Sequence, residues 1–181
     1  MNYTCIIVGD KAVGKTSFIE NLRTGNFQEG CRPTDSLETT SLKFPTNQGT
    51  TVTFQVYDGG YTFKPDCAII MFDLTKKETL EHVIIHYQWI KSMFGEIPTV
   101  VCGNKLGKYD EKILSHVSHN EFNHVLQQHP KLIGFSVGVG SSNCYEPFQF
   151  LWKLFNSSPQ IINSPSLYYH SLMHDSKLNF K

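Results

Sequence analysis

Eight consecutive residues near the start of the chain have the types and spacing of a phosphate-binding loop. Residues Gly9–Thr16 read GDKAVGKT, fit the pattern GxxxxGK[ST], and lie between a predicted strand and a predicted helix. Glycines let backbone N–H groups surround phosphate oxygens, and the helix N-terminus adds its positive dipole end. Lys15 would contact the β- and γ-phosphates, and the Thr16 hydroxyl would bind Mg²⁺. The alternative is a strand–helix turn that contains Gly and Lys by chance, at a frequency of roughly under one in a hundred.

The histidines do not form a comparable pattern. His82 and His86 have i, i+4 spacing on a predicted helix, but they lack a third ligand and are interpreted as solvent-exposed side chains rather than a metal site. His116, His119 and His124 are scattered. No Ser/His/Asp or Cys/His constellation is recognisable.

Short apolar runs alternate with amphipathic segments and predict the elements that hold the loop. The predicted strands are 3–8, 40–44 and 51–58 as a hairpin, 67–74, 97–105 and 131–137. The predicted helices are 16–23, 80–94, 120–129 and 147–155. This order indicates an α/β fold with a mostly parallel sheet, in which ligands bind at the carboxyl ends of strands. We expect a domain over 1–156 and an extended tail over 157–181.

Composition limits the classes of protein. The 181 residues include 16 Lys plus Arg and 16 Asp plus Glu, so the net charge is zero. This balance argues against a nucleic-acid binder. Five widely spaced cysteines without a CxxC pair indicate an intracellular protein rather than a disulfide framework. No apolar run approaches a membrane-spanning length, and we expect a monomer without a membrane contact.

Several further segments resemble the small GTPases, and in particular their Ran branch, over nearly the whole chain. The segments that carry the resemblance are GDKAVGKTSF, TGNFQEGCRPT, LKFPTNQG, CAIIMFDLT, IPTVVCGNK, NCYEPFQFLWKL and SPQIINSPSL. The resemblance implies the small-GTPase fold, a six-stranded mostly parallel sheet with helices on both faces. It also implies binding of GTP or GDP with magnesium.

The resemblance assigns roles to individual residues. Phe27 would pack on the guanine ring, Lys105 would lie along the purine, and the backbone N–H groups of Ser136, Val137 and Gly138 would meet the guanine carbonyl. The implied magnesium ligands are Thr16, Thr34 and Asp58. The full implied nucleotide-binding set is Gly9, Asp10, Lys11, Ala12, Val13, Gly14, Lys15, Thr16, Ser17, Phe27, Thr34, Asp58, Gly60, Asn104, Lys105, Ser136, Val137 and Gly138. Ordinary alternatives are a turn-capping Thr at 34, a core contact at Phe27 and a turn Asp at 58.

Four departures from the family pattern concern base recognition and hydrolysis. The motif NKxD ends in Gly107, which cannot accept hydrogen bonds from the guanine edge, although Asp110 is close in sequence. The segment between Asp58 and Cys67 is short by on the order of ten residues, about a helix. No Gln occurs between Gln55 and Gln88, so the Gln that orients water in these enzymes is absent. Lys11 stands where efficient hydrolysers have a small residue. Its side chain either crowds the γ-phosphate, neutralises the charge of that phosphate, or points to solvent.

The sequence therefore predicts a guanine-nucleotide-binding switch or mimic in nucleocytoplasmic transport, with weak or absent hydrolysis. Its implied partners are nuclear-transport receptors or other Ran-binding proteins, and its implied location is the nucleus and cytoplasm. One alternative is a scaffold that binds proteins without an obligate nucleotide. Another is a phosphate-loop NTPase with relaxed base specificity.

Overall fold

The predicted elements are present, most with ends that differ by one to three residues. The computed structural model describes residues 1–25, 38–46, 49–59, 63–108, 110, 112–138 and 142–156. The strands are β1 (Asn2–Gly9), β2 (Glu38–Pro45), β3 (Thr51–Asp58), β4 (Cys67–Asp73), β5 (Thr99–Asn104) and β6 (Ile133–Ser136). The helices are α1 (Lys15–Thr24), α2 (Lys77–Phe94), α3 (His119–Gln128) and α4 (Glu146–Asn156). The predicted tail, 157–181, lies outside the described residues.

The six strands form one sheet in the order β2-β3-β1-β4-β5-β6. Only β2 and β3 pair in the antiparallel sense, and the other neighbours are parallel. Strand β1 lies between β3 and β4, with Ile7 level with both Asp58 and Ile69. The carboxyl ends of β1, β3, β4 and β5 therefore meet at one edge, where a ligand of such a sheet binds.

Helices cover both faces of the sheet, because alternate residues of each central strand point to opposite sides. Cys5 and Ile7 of β1 belong to a core that includes buried side chains of α1 and α4. Ile6 and Val8 belong to a second core with α2 and α3. The predicted small-GTPase architecture, six strands between two layers of helix, is confirmed.

The connection from β3 to β4 is unusually short. It comprises residues 59–66 and must cross β1, since β3 and β4 lie on opposite sides of that strand. Crossovers between parallel strands usually need about a dozen residues or more and contain a helix. Its described residues, 59 and 63–66, contain none. Asp66 fastens its end to β1, since its carboxylate accepts hydrogen bonds from Thr4 N at 2.7 Å and Thr4 Oγ1 at 2.8 Å.

None of the helices in the described ranges combines the length and the apolar character needed to span a bilayer.

Candidate functional site

The turn from β1 into α1 has the backbone of a close-fitting loop. Gly9 has φ +148°, and a Cβ there would lie 2.2 Å from the backbone oxygen of Met71. Gly14 precedes α1 with φ +95°, and a Cβ there would lie 2.5 Å from Asn104 Nδ2. Only glycine meets both requirements, a positive φ and no side chain. The two glycines of the motif thus let the loop pass close to β4 and β5.

Lys15 is held across this loop by the loop itself. Its Nζ donates to the carbonyl oxygens of Gly9 and Asp10, each at 2.9 Å. An ammonium group has three donors, so a third remains for another acceptor. Burial lowers the pKa of Lys15, while the carboxylates of Asp58 and Asp10 oppose that shift. A partly desolvated, oriented cation is suited to bind an anion such as a phosphate.

Thr16 and Asp58 place two oxygen groups side by side. The Thr16 hydroxyl donates to Asp58 Oδ2 at 2.9 Å, which joins the first turn of α1 to the end of β3. Asp58 is buried. Hydroxyl and carboxylate oxygens are the ligands that Mg²⁺ prefers, and it is commonly held by one or two carboxylates plus phosphates. These two residues therefore fit the implied metal.

Asn104 and Lys105 extend the site from the end of β5. Asn104 is 2 % exposed and donates from Nδ2 to Val13 O at 3.0 Å, which fastens the phosphate loop to β5. Its Oδ1 is buried and has no hydrogen-bond partner among the described residues. Lys105 Nζ lies 2.6 Å from Asp73 Oδ2. Burial opposes ionisation of Asp73, but the bonds from Lys105 and Thr75 outweigh it and lower the pKa of that carboxyl.

The segment Ser136–Gly138 is brought beside the same strand. Val137 N donates to Gly103 O at 2.8 Å, and Leu106 N donates to Val137 O at 3.2 Å. The Val137 N–H group is thus already used within the protein. Behind the segment, the Asn143 side chain donates to Ser136 O at 2.6 Å.

Gly107 leaves open space where the family pattern has a carboxylate. A Cβ at this position would meet nothing within 4 Å. The neighbouring carboxylate, Asp110, accepts a hydrogen bond from Lys112 N at Oδ1, at 2.9 Å.

Three residues of the predicted site, Phe27, Thr34 and Gly60, lie outside the described residues. Lys11 and Ala12 are exposed, Ser17 is half-buried and Val13 is buried. The remaining predicted residues lie at the carboxyl ends of β1, β3, β5 and β6. Val137 differs from its implied role, because its N–H group donates to Gly103 O rather than being available to a guanine carbonyl.

His82 and His86 make a contact that the sequence does not predict. His82 is exposed, as expected, whereas His86 is half-buried, and both contact Asp10 of the phosphate loop. His82 Nδ1 lies 2.6 Å from Asp10 Oδ2, and His86 Nε2 lies 3.0 Å from Asp10 Oδ1. Their i, i+4 spacing places them on one face of α2, and the fold then sets that face against the loop. The sequence predicted no role for Asp73 either, because only the fold brings it to Lys105.

Among the described residues, no group of three or more His, Cys, Asp or Glu side chains could hold a metal ion. The two imidazoles bind a carboxylate directly.

Comparison with known families agrees with this geometry. The sequence model of the Ras family matches residues 4–132. The match covers the phosphate loop, Asp58, Asn104 and Lys105, and it ends before Ser136–Gly138. Domains of this family are GTP-binding switches that bind guanine nucleotide and magnesium and contact effector and regulatory proteins. Since the match extends over well more than half of the 181 residues, the chain belongs to the Ras family of small GTPases.

Proposed function

We propose that this chain binds a guanine nucleotide with Mg²⁺ through the Gly9–Thr16 loop and uses the bound state to select protein partners. The observation that carries the proposal is the oriented ammonium of Lys15, with two loop carbonyls as partners and one donor left. A polyphosphate supplies the charged oxygen atoms that this donor and the N-terminus of α1 require.

The magnesium ion would be held by Thr16 and Asp58, with Thr34 as the third implied ligand. Mg²⁺ neutralises charge on the β- and γ-phosphates when it is bound. The Thr16–Asp58 hydrogen bond supports this assignment, because it fixes both oxygen groups in one place before a ligand arrives. Removing magnesium with EDTA should weaken GTP binding in the native chain and have a smaller effect in Asp58→Ala.

Hydrolysis in this proposal is weak or absent. Two observations support it: no Gln occurs between Gln55 and Gln88, and residues 59–66 are too few for the usual crossover helix. Single-turnover assays with radiolabelled GTP should give a rate near the non-enzymatic background. A rate that rises to ordinary family turnover on adding an activating protein would contradict this part.

Beyond nucleotide binding, the proposal includes a Ran-like role in nucleocytoplasmic transport. It is supported by the resemblance of LKFPTNQG, CAIIMFDLT and IPTVVCGNK to Ran segments. The partners would be nuclear-transport receptors or other Ran-binding proteins, and the protein would occur in the nucleus and cytoplasm. Purified transport receptors should bind the chain more tightly with a non-hydrolysable GTP analogue than with GDP. Equal binding to both states, or none, would remove the Ran-like assignment and leave the nucleotide-binding proposal intact.

Gly107 favours a second candidate, a scaffold that needs no nucleotide. Without the carboxylate of the NKxD pattern, the base donors have no partner from this position, and affinity for guanine falls. Protein purified without added nucleotide would be denatured and the supernatant chromatographed. A stoichiometric guanine nucleotide excludes the scaffold, whereas its absence favours it.

The open space at Gly107 also supports relaxed base choice. Thermal shifts with GTP, ATP and XTP at equal concentration would rank the three nucleotides, because stabilisation grows with concentration over the dissociation constant. Equal shifts indicate that the phosphates dominate binding, and a shift with GTP alone indicates that base recognition persists.

A further inference from the structure

A carboxylate of the phosphate loop is held from the side by a helix. Asp10 directs one oxygen to each of two histidines, Oδ2 to His82 Nδ1 at 2.6 Å and Oδ1 to His86 Nε2 at 3.0 Å. We call these three residues the Asp10 clamp. Its side chains are partly enclosed, with 24 % of Asp10, 26 % of His86 and 47 % of His82 exposed. The clamp joins the loop to α2, between residues that are 72 and 76 positions apart in the sequence.

The clamp acts on the same loop that orients Lys15. The Asp10 carbonyl oxygen is one of the two acceptors of Lys15 Nζ, and the Asp10 carboxylate also acts electrostatically on that ammonium. Fixing the Asp10 side chain therefore restricts the backbone on which the position of Lys15 depends. A neutral imidazole has one N–H donor, so each ring serves the carboxylate as a donor in one tautomer and in the protonated form.

Charge in the clamp is set by a small number of groups. Among the described residues, those that act on His82 are Asp10 from the loop and Glu81 and Glu78 from its own helix. The hydrogen bond with Asp10 is the main cause that raises the pKa of His82 above its usual value. Burial disfavours the charged form of Asp10, but hydrogen bonds from both histidines outweigh it and lower the pKa of that carboxyl.

We propose that His82 and His86 are positioning residues for the phosphate loop, and that protonation of His82 strengthens the binding of a nucleotide polyphosphate there. The proposal rests on the proposed nucleotide binding. A carboxylate inside an anion-binding loop repels phosphate, and an imidazolium bound to that carboxylate cancels its charge. Protonation of His82 therefore raises the affinity of the loop for anions and also restricts the loop further.

The sign of the pH dependence follows from the direction of that shift. Because the pKa of His82 is raised in the folded protein, protonated His82 stabilises the arrangement in which it contacts Asp10. This stabilisation is complete at pH values below the ordinary histidine pKa, which is about 6.5. That contribution disappears as the pH rises through the raised value. Polyphosphate affinity should therefore fall between about pH 6 and pH 8, beyond any change due to the nucleotide itself.

The test compares affinities for Mg²⁺·GDP at pH 6 and pH 8 by titration calorimetry. The proteins are the native chain, the double variant His82→Gln/His86→Gln, and His124→Gln as a matched control on the exposed face of α3. Glutamine retains a hydrogen-bond donor and does not titrate, and the titration of GDP is common to all three proteins. We expect the ratio of affinities to be about two- to fivefold larger in the native chain and in the control than in the double variant. Equal ratios in all three would overturn the proposal.

A second measurement needs no nucleotide and separates this proposal from the proposed function. The imidazole resonances of His82 would be titrated by NMR in the native chain and in Asp10→Asn. We expect His82 to titrate at lower pH in Asp10→Asn. Failure of GDP to bind, with this result obtained, would contradict the proposed function and leave the contact between His82 and Asp10 established. An unchanged titration would overturn the clamp even if GDP binds.

Discussion

At the scale of single residues, Lys15 is the group on which phosphate binding depends most. Replacing it with alanine removes an ammonium that is oriented by Gly9 and Asp10 carbonyls and partly buried. We predict that Lys15→Ala lowers the affinity for Mg²⁺·GTP by about a hundredfold, since charge-assisted hydrogen bonds contribute about 1.5–3 kcal/mol each. Fluorescence titration with a labelled nucleotide measures the loss. Lys112→Ala, which changes an exposed lysine, is the control; an equal loss there would mean that net charge, and not Lys15, drives binding.

Gly107 allows a gain of function to be predicted. A Cβ at this position meets nothing within 4 Å, so Gly107→Asp should fold normally and present a carboxylate beside Lys105. We predict that it raises the affinity for GDP relative to ADP at least about tenfold, because sites that pair the polar edge of a base discriminate strongly. Competition binding with the two nucleotides gives the ratio. Gly107→Asn has nearly the same size without the charge, and a similar gain in that variant would contradict the carboxylate explanation.

Whether the role of a residue could be predicted depends on how close its contact partners lie in the sequence. Motif spacing identified Lys15 and Thr16, because the loop's chemistry is contained in consecutive residues. The resemblance identified Asp58, and the structure sets it against Thr16. The contacts of His82 and His86 with Asp10 could not be predicted in the same way. Helical spacing shows that two side chains share a face, but only packing decides which distant loop that face meets.

At the scale of elements, α3 begins with a charged cap that makes stability depend on pH. Ser118 N and Oγ donate to Glu121 Oε2 at 2.7 and 2.6 Å, and Lys77 Nζ lies 2.6 Å from Glu121 Oε1. The hydrogen bond from Lys77, followed by those from Ser118, lowers the pKa of Glu121 from 4.5 to about 2. A depressed carboxyl pKa contributes stability above its unfolded value that is lost as the pH falls through the folded value.

We therefore predict that Glu121→Gln removes part of the acid sensitivity of the native chain. The difference in the free energy of unfolding between the two proteins should be present at pH 6 and shrink between pH 4.5 and pH 2. Urea denaturation at several pH values measures it. Ser118→Ala should cost about 1 kcal/mol at pH 6, since it removes the N-cap. A difference between the native chain and Glu121→Gln that is independent of pH would contradict this account of α3.

The order of the elements could be predicted because apolar periodicity reflects burial. Continuous apolar runs became β4 and β5, which are buried along their whole length, and the alternating segment 51–58 became β3 with one face buried. Apolar spacing does not mark the start of α2, which lies at Lys77, three residues before the predicted start. The number of residues between β3 and β4 already shows that the 59–66 crossover is short. The hydrogen bonds between Asp66 and Thr4 could not be predicted from the sequence.

At the scale of the whole molecule, stability depends on the core between the sheet and the pair α1 and α4. The ring of Phe148 is fully buried and lies 5.1 Å from Phe54 and 5.4 Å from Phe44, between centroids. We predict that Phe148→Ala lowers the free energy of unfolding by about 3–5 kcal/mol. Leu114→Ala, at a side chain that is 92 % exposed, should change it by less than about 0.5 kcal/mol. Urea denaturation checks both, and similar losses in the two variants would contradict the assigned core.

The central claim is that one edge of this Ras-family sheet binds a guanine nucleotide with magnesium. Titration calorimetry of nucleotide-free protein with GTP, in magnesium and then in EDTA, tests it most directly. The account predicts one equivalent bound in magnesium, weaker binding in EDTA, and about hundredfold weaker binding by Lys15→Ala. No binding to the native chain at millimolar GTP with magnesium, or equal binding by Lys15→Ala, would contradict it.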